Sequence, residues 1–280
     1  LESATRQEAF RQLCRKSVET AFDFVSGPLG YIQLVKFQER EYRCIIVLHH
    51  IVMDGWSMSV LVRELGDLYT ARLNKVAHTL SAPPQFRDYL SWQEGARDDH
   101  QKCERYWLDL FSNEPAMLNF PTDRPHAIER SFKGMRVDHL LRPELAVQLK
   151  KLAISEKTTL VTLLYSAFVA FVRQLTEQDD LVIGILSAGH LAADMPKLIG
   201  HCVNVLPVRN TVSATQTFSS FLAQTKKVLY GSYDHQNYTY GSLISHIKIK
   251  RQPGRIPLMP ILFNVDQASD EPYRYQGVDV

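Results

Sequence analysis

His49-His50-Ile51-Val52-Met53-Asp54-Gly55 lies where one regular pattern of the chain gives way to another. Before it, Tyr42 to Leu48 is rich in Val, Ile and other apolar residues, the composition of a strand. After Gly55 the apolar period becomes helical, with Val60, Leu61, Leu65, Leu68, Tyr69 and Leu73 on one face. Asp54 or Ser57 can cap the start of that helix. The seven residues therefore occupy a strand-to-helix junction, where side chains at the edge of a sheet are open to reactants. A histidine there exchanges protons near neutral pH, because its ordinary pKa is about 6.5. An aspartate four residues on can orient the imidazole or hold the turn. Gly55 would permit backbone conformations that other residues resist.

The spacing alone says little. With 10 His and 16 Asp in 280 residues, His-x-x-x-Asp is expected roughly 0.6 times by chance. The chain supplies its own control, since His190-Leu191-Ala192-Ala193-Asp194 also matches. Requiring the doubled His and the Gly lowers the expectation to roughly one in a thousand. At this level three readings stand: an acid–base site, a structural His pair with Asp54 as a helix cap, and a metal site. No nearby cluster of ligands completes the last.

Over the whole chain, 32 Lys+Arg against 30 Asp+Glu give a net charge of +2, which argues against nucleic acid as the main partner. Hydrophobic residues at 45% suffice for a sizeable core. The most apolar stretch, Leu160 to Leu175, is too short to span a bilayer and reads as a buried helix. Cysteines at 14, 44, 103 and 202 form no CxxC pair, which suggests reduced thiols and a cytoplasmic protein. Gly-x-Ser-x-Gly, Gly-x-Gly-x-x-Gly and the phosphate-binding Gly-x4-Gly-Lys-Ser/Thr are absent.

Helix is expected over 7–21, 143–156, to Leu175 from a Thr158 or Thr159 cap, and over 218–233. Strands are expected over 31–37, 42–48, 181–186, 201–208 and 260–265. Pro115, Pro121 and Pro125 mark a crossover between two halves. The class is α/β (α+β), with an N-terminal lobe over 1–125 and a C-terminal lobe over 126–280.

The segment His49 to Ser57, HHIVMDGWS, resembles the signature of the condensation domains of nonribosomal peptide synthetases. Phe86 to Trp92, Pro121 to Pro125, Ile199 to Arg209, Asp234 to Tyr238, and Arg255 to Leu258 followed by Phe263-Asn264 resemble that family's further motifs, in its order. The resemblance implies two chloramphenicol-acetyltransferase-like lobes in a V with the active site in a tunnel between them. It implies an amide-forming acyltransferase. The amine of a downstream carrier-bound aminoacyl thioester attacks an upstream carrier-bound acyl or peptidyl thioester. Upstream and downstream carrier domains and an adjacent adenylation domain are the implied partners. The 4′-phosphopantetheine belongs to the carriers, and no cofactor or metal is expected on the domain itself.

By the same resemblance His50 is the catalytic histidine and the Gly55 N–H contacts the developing oxyanion. His49 and Asp54 are structural, and His190 stands where the family often has an Arg paired with Asp54. Ser57 and Asn264 are expected to touch substrate. Ser187 to His190 and Gly200 to Arg209 look like condensation domains fed by polyketide modules. Two alternatives remain: a free-standing acyl-CoA-dependent acyltransferase and a noncatalytic carrier-docking module. The chain looks short for the family, lacks its early Arg-His-Glu segment, and ends on a strand-like Val278-Asp279-Val280, which suggests an excerpt of a longer synthetase.

Overall fold

The computed structural model describes residues 3–95, 97–125, 127–129, 134–250, 254–266 and 275. The strand-like end at 278–280 and part of the proline-rich crossover lie outside them. The chain forms two compact units, 1–90 with 190–202 and 271–280, and 91–189 with 203–270. This grouping is not the single cut at 125 expected from the prolines. Residues 91–125 join the second unit because Cys103, Trp107 and Phe111 are buried in its core.

In the first unit, α1 (Ser3–Glu19) precedes a hairpin of β1 (Gly30–Lys36) and β2 (Tyr42–Leu48). The strands are antiparallel, with Gly30 opposite Leu48 and Lys36 opposite Tyr42. Arg43 ties the hairpin to α1 by donating to Gln7 Oε1 at 2.9 Å and lying over the Phe10 ring at 4.8 Å. Helix α2 (Gly55–Leu73) follows the junction. Its expected apolar face is largely open: Leu65, Leu68, Tyr69 and Leu73 are 42–52% exposed. Ser57 and Gly66 are its buried positions instead. The 3.6-residue period located the helix, but not which face is covered.

The second unit is built on a three-stranded sheet, β4 (Val203–Thr211), β3 (Asp180–Ala188) and β5 (Leu262–Phe263), in the order β4-β3-β5. The β3–β4 pair is antiparallel and the β3–β5 pair parallel. Leu181 to Ile185 is a continuous buried run, as expected of a strand covered on both faces. Each such Leu or Ile contributes about 1.5–3 kcal/mol by leaving water. Gly184 allows β5 to approach, since a Cβ there would lie 2.3 Å from Leu262 Cδ2.

Helices α3 (Phe86–Gly95) and α4 (Arg97–Leu110) precede α5 (Pro143–Ser155) and α6 (Leu160–Thr176). Pro143 starts α5 where its missing N–H costs nothing. Thr159 caps α6, its hydroxyl oxygen accepting from the Thr162 amide at 3.1 Å. Helix α6 carries Leu163, Tyr165, Val169 and Val172 into the interior, as the apolar run predicts. Among the described residues no single helix is long and apolar enough to cross a membrane. The short α7 (Gly189–Ala192) follows β3, and α8 (Phe218–Asp234) and α9 (Tyr240–His246) follow β4.

Two strands differ from expectation. The 260–265 strand shrinks to Leu262–Phe263. The 201–208 strand begins at Val203, so His201 and Cys202 stand outside the sheet. The backbone amides on either side of His201 are bonded to the side chains of Ser57 and Asp54 instead.

Candidate active site

Strand β2 ends at Leu48, and a turn over 49–52 leads into α2. His49 turns into the protein. Its ring packs edge-on against Phe22 and Phe24, and its Nδ1 accepts from the Ile51 amide at 3.1 Å. His50 is exposed at the end of the strand. Its Nδ1 lies 3.2 Å from Nδ1 of His201, with the rings at 85°.

Asp54 is the N-cap of α2 and is buried. Its Oδ1 accepts from the Ser57 amide at 3.0 Å and the Ser57 hydroxyl at 2.9 Å. Its Oδ2 accepts from the Cys202 amide at 3.0 Å. The carboxylate therefore fastens the 200–202 segment to the start of α2 and is not hydrogen-bonded to His50.

Ser57, expected to touch substrate, sits in the first turn of α2. It is fully buried. Its Oγ accepts from the Gly200 amide at 3.0 Å and lies 2.9 Å from the Gly200 carbonyl oxygen. Gly200 must be small, because a Cβ would sit 2.5 Å from Phe86 Cδ2.

His190 Nδ1 lies 3.8 Å from Asp54 Oδ2. Burial holds its imidazole below the usual pKa, against the pull of the Asp54 carboxylate and aided by His201. It is therefore neutral at neutral pH. The indole of Trp56 stacks on it and donates to the Pro196 carbonyl at 2.8 Å. Cys202 is held as a thiol, its pKa pushed up to about 12 by burial and by Asp54.

Gly55 is the first residue of α2, where backbone N–H groups have no acceptor within the helix. Its backbone is not in the left-handed region, so the conformational freedom expected of it is not used. What it provides is room, since a Cβ there would meet nothing within 4 Å. Asn264 belongs to the second unit, is exposed, and donates from Nδ2 to Asp266 Oδ1 at 2.8 Å. It lines a cavity of about 290 Å³ with Tyr165, Tyr230, Tyr233 and Phe263.

Other motif residues hold the second unit together. Asn204 donates to the carbonyls of Gln236 and Tyr238 at 2.9 and 3.0 Å. Arg209 grips Asp180 with two nitrogens at 2.9 and 2.7 Å. Trp107 is in the core and donates to the His235 carbonyl at 2.8 Å. Among the described residues no three His, Cys, Asp or Glu side chains are grouped to hold a metal ion. Sequence reasoning missed His201. Its only signal was a second polar ring inside Gly-His-Cys-Val-Asn, a segment read as strand.

The profile of the condensation domain family matches residues 1–276. The chain belongs to that family. It is 31% identical over 276 residues to bacitracin synthase 3 of Bacillus licheniformis, covering 97% of this chain and 4% of that protein. It is 32% identical over 252 residues to tyrocidine synthase 3 of Brevibacillus parabrevis, covering 89% and 4%. The condensation-domain chain thus spans less than a tenth of the length of either relative.

Its fold is that of solved condensation domains. The first condensation domain of the CDA synthetase superposes with a TM-score of 0.77 at 19% identity, over 97% of this chain and 60% of that one. A holo four-domain nonribosomal peptide synthetase bound to AMP and glycine gives 0.82 at 22%, over 94% and 20%. The X-domain from teicoplanin biosynthesis gives 0.79 at 21%, over 91% and 58%.

Proposed function

We propose that this condensation domain joins two carrier-bound thioesters through an amide bond, with His50 as the proton acceptor. The observation that carries the proposal is the location of the doubled-His signature. His50 is exposed at the strand end while Asp54, four residues on, is buried in structural hydrogen bonds. The motif thus divides into a reactive half and a structural half.

In the proposed reaction the amine of the downstream aminoacyl thioester attacks the carbonyl carbon of the upstream acyl thioester. A C–N bond forms and the C–S bond breaks. His50 takes a proton from the attacking nitrogen, and the leaving thiolate ends as a thiol. The Gly55 N–H, at the positive end of α2, stabilises the oxyanion of the tetrahedral intermediate. Holding the two thioesters together supplies a further share of the rate.

The upstream and downstream partners are carrier domains that present their thioesters on 4′-phosphopantetheine arms, within a cytoplasmic synthetase that also holds an adenylation domain. Asn264, in the second unit, is proposed to contact substrate.

The test uses two carrier proteins, one loaded with an acyl or peptidyl group and one with an aminoacyl group. Amide product that depends on His50 supports the proposal. Turnover with acyl-CoA but not with acyl-carrier would move the chain to the free-standing acyltransferases. Carrier binding without His50-dependent product would make it a docking module.

A further inference from the structure

We infer that His201 is a positioning residue for His50, fixing the tautomer in which His50 Nε2 is free to take a proton. The inference rests on the condensation reading above. The two Nδ1 atoms are 3.2 Å apart, a hydrogen-bond distance. Between neutral imidazoles such a contact needs one Nδ1–H and one bare Nδ1. A proton acceptor must carry its own hydrogen on Nδ1 so that Nε2 presents a lone pair. His50 is therefore the donor, and His201 accepts at Nδ1 while carrying its proton on Nε2. When His50 becomes an imidazolium its Nδ1–H still donates, now as a charge-assisted bond.

Among the described residues no carboxylate is hydrogen-bonded to either imidazole of the pair. Both Asp54 oxygens already accept from Ser57 and Cys202, and His49 is engaged by the Ile51 amide. The residues on either side of His201 are anchored: the Gly200 amide donates to Ser57 Oγ at 3.0 Å and the Cys202 amide to Asp54 Oδ2 at 3.0 Å. Asp54 and Ser57 thus act on His50 indirectly, by holding the segment that carries its imidazole partner. The imidazole itself is exposed, so replacing it leaves the packed interior untouched.

The experiment is two-bond 1H–15N spectroscopy of the 15N-histidine-labelled chain at about pH 8.5, where imidazoles are neutral. His50 is assigned by its loss in His50→Ala. Wild type is expected to show His50 with its proton on Nδ1 and His201 with its proton on Nε2. His201→Ala is expected to abolish the Nδ1–H pattern of His50, and His201→Asn, whose side-chain oxygen can accept, to restore it in part.

Amide formation between acetyl- and glycyl-loaded carriers is the second readout. His201→Ala is expected to lower kcat by about 10-fold or more with KM unchanged, and His201→Asn to recover part of it. A wild-type His50 protonated on Nε2, or a His50 tautomer indifferent to His201→Ala, overturns the inference, whatever the turnover. The expected tautomers in a chain that forms no amide would sink the condensation reading and leave the pair standing.

Discussion

His190 Nδ1 stands 3.8 Å from Asp54 Oδ2 with neither side chain exposed, and no hydrogen bond joins them. An imidazole in this place is neutral where an arginine would be charged. Its pKa is lowered by burial, so the unfolded chain binds the extra proton first as pH falls. The stability from His190 is full above about pH 6.5 and is lost as pH drops from there through the folded pKa. Between about pH 7.5 and 5.5 the urea midpoint of wild type is therefore expected to fall more than that of His190→Gln. Equal falls would mean that His190 is not buried as a neutral base.

Asp54→Ala removes the cap of α2 and leaves the Cys202 amide without its acceptor. A lost cap costs about 1 kcal/mol and an orphaned buried donor about 1–3 kcal/mol. Equilibrium unfolding is expected to show a loss of about 2–4 kcal/mol. Unchanged stability with lost turnover would assign Asp54 to the chemistry instead.

Gly200→Ala sets a methyl group 2.5 Å from Phe86 Cδ2. The overpacking is expected to cost about 1–3 kcal/mol. Adding Phe86→Ala opens the space, so the double variant is expected to recover part of the loss in a denaturant titration. Additive losses would show that the two residues do not press on each other.

Asn204→Ala strips donors from the carbonyls of Gln236 and Tyr238 and an acceptor from the Val205 amide. A loss of about 1–3 kcal/mol is expected by thermal or urea unfolding. A wild-type midpoint would show that these bonds contribute nothing.

Much of the fold was legible because its signals were local. The Leu181 to Leu186 apolar run, Pro143 at a helix start and the Thr159 cap each act within a few residues, and each is found as expected. The strand-to-helix junction was legible for the same reason: Tyr42–Leu48 and Gly55–Leu73 differ in period. What failed depended on distant partners. Whether the Leu65–Leu73 face is covered, and where the strand after Gly200 begins, is set by segments far along the chain. The His50–His201 pair is separated by 151 residues, a distance no periodicity reports.

The most direct measurement is product yield in a single-turnover assay with an acyl-loaded and an aminoacyl-loaded carrier, comparing wild type with His50→Ala. Wild type is predicted to form the amide, and His50→Ala to form it about 10²- to 10⁴-fold more slowly with an unchanged melting temperature. Amide formed by His50→Ala at the wild-type rate would contradict the account.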